Sequence, residues 1–192
     1  MHGHYLHLFN THLQANYYPS FHQYKKCINS RMHQLIELSE FVREKTDNMD
    51  AKDRIMVVGD FNISSRNFNN VLRDHFIEKA KVDEGFKVFF EDGFDCVEEY
   101  RVMKRILTCD DVFTIKDYKD HISDDEGGPS TFGGYKILQD GSRSPIETTL
   151  TNVHDLMSEQ SLDYIFEFIS RFKDKLNVLN LQVFNSKEVL CT

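Results

Sequence analysis

Three short polar clusters hold the side chains whose chemistry can be read directly from this sequence: Asn10-Thr11-His12-Leu13, Gly59-Asp60-Phe61-Asn62 and Ser161-Leu162-Asp163-Tyr164. His12 follows an apolar run, where its imidazole could donate to a phosphoryl oxygen and stabilise charge developing on a transferring phosphoryl group. Asp60 and Asn62 stand two apart after another apolar run, so both side chains could point the same way and offer hard oxygen ligands to a divalent ion, or a phosphate contact. Asp163 is a lone carboxylate in an apolar stretch and needs a partner. Taken singly, a His at a strand end is more often structural, and Asp-x-Asn is more often a turn, because both side chains bond their own backbone. The three clusters together favour the chemical reading.

The elements that must position these groups follow from hydrophobic patterning. Tyr5 to Phe9 reads as a buried strand delivering His12 at its end. Pro19 and Ser20 offer a helix start, and Ile28, Met32, Leu35 and Ile36 recur at helical spacing, which predicts a helix running toward Arg43 with Lys25 and Arg31 on its wetter side. Ile55-Met56-Val57-Val58 scarcely alternates, as a central strand covered on both faces requires. Gly59 then allows a sharp turn. A short helix is expected over 68–81, whereas 83–119 mixes acidic and aromatic residues without clear periodicity and suggests no chemistry. Residues 121–144, rich in glycine turn signals, read as a long mobile loop. Leu162, Tyr164 and Phe166 share one strand face, with Asp163 and Ile165 on the other, and 178–184 reads as a half-buried strand.

Composition narrows the function classes. With 192 residues, 40% hydrophobic and 12% aromatic, the chain can bury a sizeable core as one domain. Its formal charge of −8 disfavours a nucleic-acid partner, which a basic stripe would recognise. Cys27, Cys96, Cys109 and Cys191 are scattered, which suggests reduced thiols rather than a zinc site or disulfide framework. His2, His4 and His7 lack a nearby Cys or carboxylate to complete a ligand set. No apolar run approaches the roughly 20 residues of a membrane span, and no secretory signal opens the sequence, so a cytoplasmic or peripheral-membrane location is expected. Phe86, Phe89, Phe90 and Phe94 could form an exposed aromatic patch, though core packing is the better expectation.

In order and spacing, Asn10-Thr11-His12-Leu13-Gln14-Ala15, Arg31-x-x-Gln34-Leu35-x-x-Leu38, Gly59-Asp60-Phe61-Asn62 and Ser161-Leu162-Asp163-Tyr164-Ile165 resemble the signatures of neutral sphingomyelinases. These are a branch of the endonuclease/exonuclease/phosphatase superfamily. The Thr-His-Leu and Gly-Asp-Phe-Asn pieces are similar to the whole superfamily, DNase I-like endonucleases and inositol polyphosphate 5-phosphatases included. Leu13-Gln14-Ala15, Pro129-x-Thr131, Pro145-x-Glu147 and the Ser161 segment look more like the sphingomyelinase pattern. The resemblance implies an α/β fold, a two-layer, DNase I-like β-sandwich flanked by helices, with residues 1–192 as one partial domain incomplete at both ends. It implies a Mg2+-dependent phosphodiesterase that cleaves sphingomyelin to ceramide and phosphocholine, with a membrane surface as a possible partner. Asn10, His12 and Asn62 would contact substrate, Asp60 and Asn62 would bind Mg2+, and His12, Asp60, Asn62 and Asp163 would form the catalytic set. The family pattern also has a metal-binding Glu upstream of the first cluster and a terminal Asp-His pair, neither of which this sequence contains. An inactive fragment, a binding module or an endonuclease of the same superfamily therefore stand as alternatives.

Overall fold

The computed structural model describes residues 4–16, 20–50, 52–66, 70–91, 96–108, 112–118, 130–146, 148–149 and 156–170. Its elements alternate in the manner of an α/β chain: strand β1 (Leu6–His12), helix α1 (Phe21–Thr46), β2 (Arg54–Asp60), α2 (Asn70–Ala80), α3 (Glu84–Glu91), α4 (Cys96–Leu107) and β3 (Phe113–Asp117). Short strands β4 (Phe132–Gly133), β5 (Tyr135–Ile137), β6 (Arg143–Pro145) and β7 (Glu159–Gln160) precede the long β8 (Asp163–Ser170). One four-stranded sheet has the order β1-β2-β8-β3, parallel between β1 and β2 and antiparallel elsewhere. The expected α/β layering is thus present.

Strand period sorts this sheet into two faces. Phe9, Ile55, Val57, Tyr164, Phe166, Phe168, Phe113 and Ile115 line the face covered by α1 and α4, where they pack with Leu35, Val42, Met103 and Leu107. Removing a side chain such as Phe166, 0% exposed, from water contributes about 1.5–3 kcal/mol. On the opposite face Leu6, Leu8, Ile165 and Ile169 are exposed, while Met56 and Val58 are half-buried. The expectation that 55–58 is covered on both faces therefore holds, among the described residues, only for the helical side. Among the described residues β1 and β3 are the edges of this sheet.

α1 starts where Ser20 was expected to cap it, with Ser20 Oγ accepting from Gln23 N at 3.4 Å. Its buried stripe includes Tyr24, Ile28, Leu35 and Val42, and also Arg31, which is 0% exposed. The wetter placement expected for Arg31 is overturned: position 31 lies on the same helical stripe, and its charge is met by Glu99 of α4. Arg31 Nε donates to Glu99 Oε1 at 2.7 Å. Burial pushes the Glu99 carboxyl up, opposed by the adjacent guanidinium.

Two stretches differ from their reading as irregular. The 83–119 segment forms α3, α4 and β3; Phe86 is buried and Phe89 half-buried in a cluster with Tyr24, Ile28 and Phe76, so both are core rather than patch. Phe94 and the side chain of Phe90 lie outside the described residues. Within 121–144, residues 132–144 contribute β4, β5 and the start of β6. Thr131 and Gly134 tie this part down through backbone contacts to 158–163. The strand expected over 178–184 lies outside the described residues. No described helix is long and apolar enough to cross a membrane.

Candidate functional site

The parallel register pairs His12 with Asp60, and the antiparallel register pairs Asp60 with Asp163. The three residues form a row across adjacent strands at one end of the sheet, on the face away from the helices. Asn10 stands two residues behind His12 on that face and is exposed. His12 Nε2 lies 3.6 Å from Asp60 Oδ2, with the two side chains 73% and 33% exposed. That separation is just beyond a direct hydrogen bond and within ion-pair range if the imidazole is protonated.

Phe61 N donates to Leu162 O at 2.9 Å, which brackets Asp60 and Asp163 as a non-hydrogen-bonded cross-strand pair, the position where facing side chains come closest. Two carboxylates directly opposite each other repel. Asp60 Oδ1 accepts from Asn62 N at 2.8 Å, an Asx-type turn that fixes one carboxylate oxygen.

Asn62 does not simply continue the strand alternation. It occupies the left-handed region at φ 52°, which Asn tolerates better than most residues, and its Nδ2 donates to Leu13 O at 2.9 Å. Leu13 N donates in turn to Asp60 O at 2.9 Å. The turn after β1 and the turn after β2 are therefore laced together, and Asn62 Oδ1 is left to accept or ligate. Gly59 makes the close approach possible: at φ 139° a Cβ would stand 1.9 Å from Thr11 O.

The helical side of the sheet supports this end with aromatic rings. Phe61, Tyr164, Phe166 and Tyr100 pack at centroid distances of 5.1–5.6 Å. Tyr164 Oη lies 2.6 Å from both Ile63 O and Ser161 O, so its single proton is shared between the loop leaving β2 and the one entering β8. Thr131 Oγ1 accepts from Leu162 N at 2.9 Å and Asp163 N at 3.0 Å. Tyr100 Oη donates to buried Asp117 Oδ2 at 2.7 Å.

These supports were not assigned by residue type. Tyr164 carries the one available signal, because a buried Tyr hydroxyl requires a partner. His12, Asp60 and Asp163 are brought into one row, and Asn62 joins it through the turn. Among the described residues no group of three or more His, Cys, Asp or Glu side chains converges as a metal cage.

The chain is similar to a Dictyostelium discoideum protein named as a sphingomyelinase, with 30% identity over 203 residues that cover 92% of this chain and 38% of that protein. It thus spans well under half the length of this curated relative. No family model and no solved structure matches the chain.

Proposed function

We propose that the His12, Asp60 and Asp163 row, with Asn62 beside it, is the phosphoryl-handling end of a Mg2+-dependent phosphodiesterase that cleaves sphingomyelin to ceramide and phosphocholine. The likeness to a sphingomyelinase supports the substrate class. The observation that carries the reading is the cross-strand alignment of an exposed imidazole with two carboxylates on one sheet face.

A phosphodiester attacked in line by water needs a proton acceptor for the water, neutralised phosphoryl oxygens and help for the departing oxygen. His12 meets solvent, and with Nε2 turned toward Asp60 Oδ2, which would orient the ring, Nδ1 is the nitrogen that would donate to a phosphoryl oxygen. Asn62 is anchored through Nδ2, so its Oδ1 has a fixed direction. Asp60 and Asn62 would hold Mg2+, with Asp163 alongside, and these hard oxygens fit that ion. The ion would supply charge neutralisation at the phosphoryl oxygens. The facing Asp60 and Asp163 carboxylates also give the donor set a reason to favour a cation, which would relieve their repulsion.

A second reading is a module that binds a phosphorylated lipid without turning it over. It is favoured because, among the described residues, the three strand ends 10–14, 58–62 and 161–165 carry one His, His12. Phosphocholine release from sphingomyelin vesicles, with Mg2+ or with chelator, separates the two readings. Mg2+-dependent release lost by roughly 100-fold or more in His12→Ala supports the phosphodiesterase. Vesicle binding by folded protein with no release supports the module.

A further inference from the structure

The turn that follows His12 is held from the far side by two side chains of α1. Arg31 and Gln34 stand three residues apart, so they project from one face of the helix toward the same backbone. Gln34 Oε1 accepts from Gln14 N at 2.9 Å, and Arg31 Nη1 donates to Gln14 O at 3.0 Å. Both backbone groups of Gln14 are thus met by side chains of one helix rather than by a strand ladder. Arg31 Nη1 also donates to Asn16 Oδ1 at 2.5 Å. Arg31 is itself fixed from behind by Glu99 of α4, and both are buried.

One peptide earlier, Leu13 touches the site twice, donating from N to Asp60 O and accepting at O from Asn62 Nδ2. A continuous path of short contacts therefore runs from α1 through Gln14 and Leu13 to Asn62 and to His12, the residue before Leu13. We propose that Gln34 and Arg31 are positioning residues for the phosphoryl-handling site, setting the direction of the Asn62 amide and the His12 ring through the Leu13-Gln14 backbone. The proposal rests on the reading of His12, Asp60 and Asn62 as one site, but the geometry it concerns is measurable without turnover.

A helix that served only to cover the sheet would need apolar groups at these positions. Instead it spends a buried guanidinium and a half-buried amide on one dipeptide of an adjoining turn. Gln34 is the better handle for a test, because truncating Arg31 would strand Glu99 without its cation in the core.

The experiment compares wild type, Gln34→Ala and Gln34→Glu in the 192-residue chain, using NMR of the His12 ring and the Asn62 side-chain amide. Circular dichroism and core amide signals from β2 and β8 monitor the fold. Gln34→Glu keeps an oxygen acceptor for Gln14 N, whereas Gln34→Ala removes it. The expected result is that Gln34→Ala keeps the core spectrum but moves the His12 and Asn62 signals, and that Gln34→Glu returns them toward wild type. In a turnover assay the same pair should show a kcat loss of roughly 10- to 100-fold and its recovery, with KM little changed. Unmoved His12 and Asn62 signals in folded Gln34→Ala would overturn the proposal, as would equal displacement in Gln34→Glu. If Gln34→Ala does not fold, wild-type His12 and Asn62 signals in Gln34→Ser would overturn it and displaced ones would support it. Moved signals with no activity in any form leave the positioning role standing and refute the phosphodiesterase reading instead.

Discussion

Replacing Gly59 with Ala tests the geometry on which the His12 and Asp60 pairing depends. Gly59 faces Thr11 across the parallel β1 and β2 ladder, at φ 139°. An added Cβ would lie 1.9 Å from Thr11 O and 2.9 Å from Thr11 C, closer than real Cβ atoms approach. The obstacle is backbone, so no rotamer change relieves it, and the strands must part by about an ångström. Holding a non-glycine residue in this region costs roughly 1–3 kcal/mol. Parting the ladder there weakens at least one hydrogen bond, worth about 1 kcal/mol more. A loss of about 3 kcal/mol is then expected, which for a chain of this size lowers Tm by roughly 6–12 °C. Urea unfolding followed by circular dichroism measures it. Gly141→Ala is the control: Gly141 also has positive φ, at 80°, but a Cβ there meets nothing within 4 Å, so only the backbone cost of about 1 kcal/mol applies. Equal, small losses in both variants would refute the steric reasoning and, with it, the close approach of the turns after β1 and β2.

Two further outcomes follow from charged groups away from the site. Arg31→Met should cost about 3–5 kcal/mol by leaving Glu99 buried without its cation, while Arg31→Met combined with Glu99→Leu should recover most of that loss; urea unfolding that shows no recovery would contradict the pairing. Asp53 is held below the ordinary carboxylate range, mainly by the hydrogen bond from Tyr5 N, with further contributions from His7 and Asp50 N. The unfolded chain therefore takes up this proton more readily, so the stabilisation is present at neutral pH and fades as pH falls through that range toward the folded value. Asp53→Asn should be less stable than wild type at pH 7 and converge with it in acid, as the Asp53 carboxyl takes up its proton. A pH-independent gap between their unfolding midpoints would show that the carboxylate charge plays no part.

The strand ends were legible because apolar runs meet polar residues there: His12 and Asp60 close β1 and β2, and Asp163 opens β8. Their alignment was not, since register depends on which strands pair, and 102 residues separate Asp60 from the point where β8 begins to run beside it. Arg31 shows the opposite failure. The spacing from Tyr24 through Ile28 to Leu35 already places position 31 on the buried stripe, but an Arg side chain argues for solvent unless its partner is visible. That partner, Glu99, sits in α4, whose apolar Met103 and Leu107 are interrupted by charged neighbours that obscure the helical period. Asn62 read as a strand-like neighbour of Asp60, whereas its positive φ turns it toward Leu13, a conformation that residue type permits but does not announce.

The claim that His12, Asp60 and Asn62 form one cation-assisted phosphoryl site is tested most directly by titrating the chain with Mn2+, a paramagnetic substitute for Mg2+, while recording NMR spectra of wild type and Asp60→Asn. The account expects the earliest broadening at the His12 ring and the Asn62 amide, and its loss in a folded Asp60→Asn variant. Broadening centred elsewhere, or unchanged by Asp60→Asn, would contradict it.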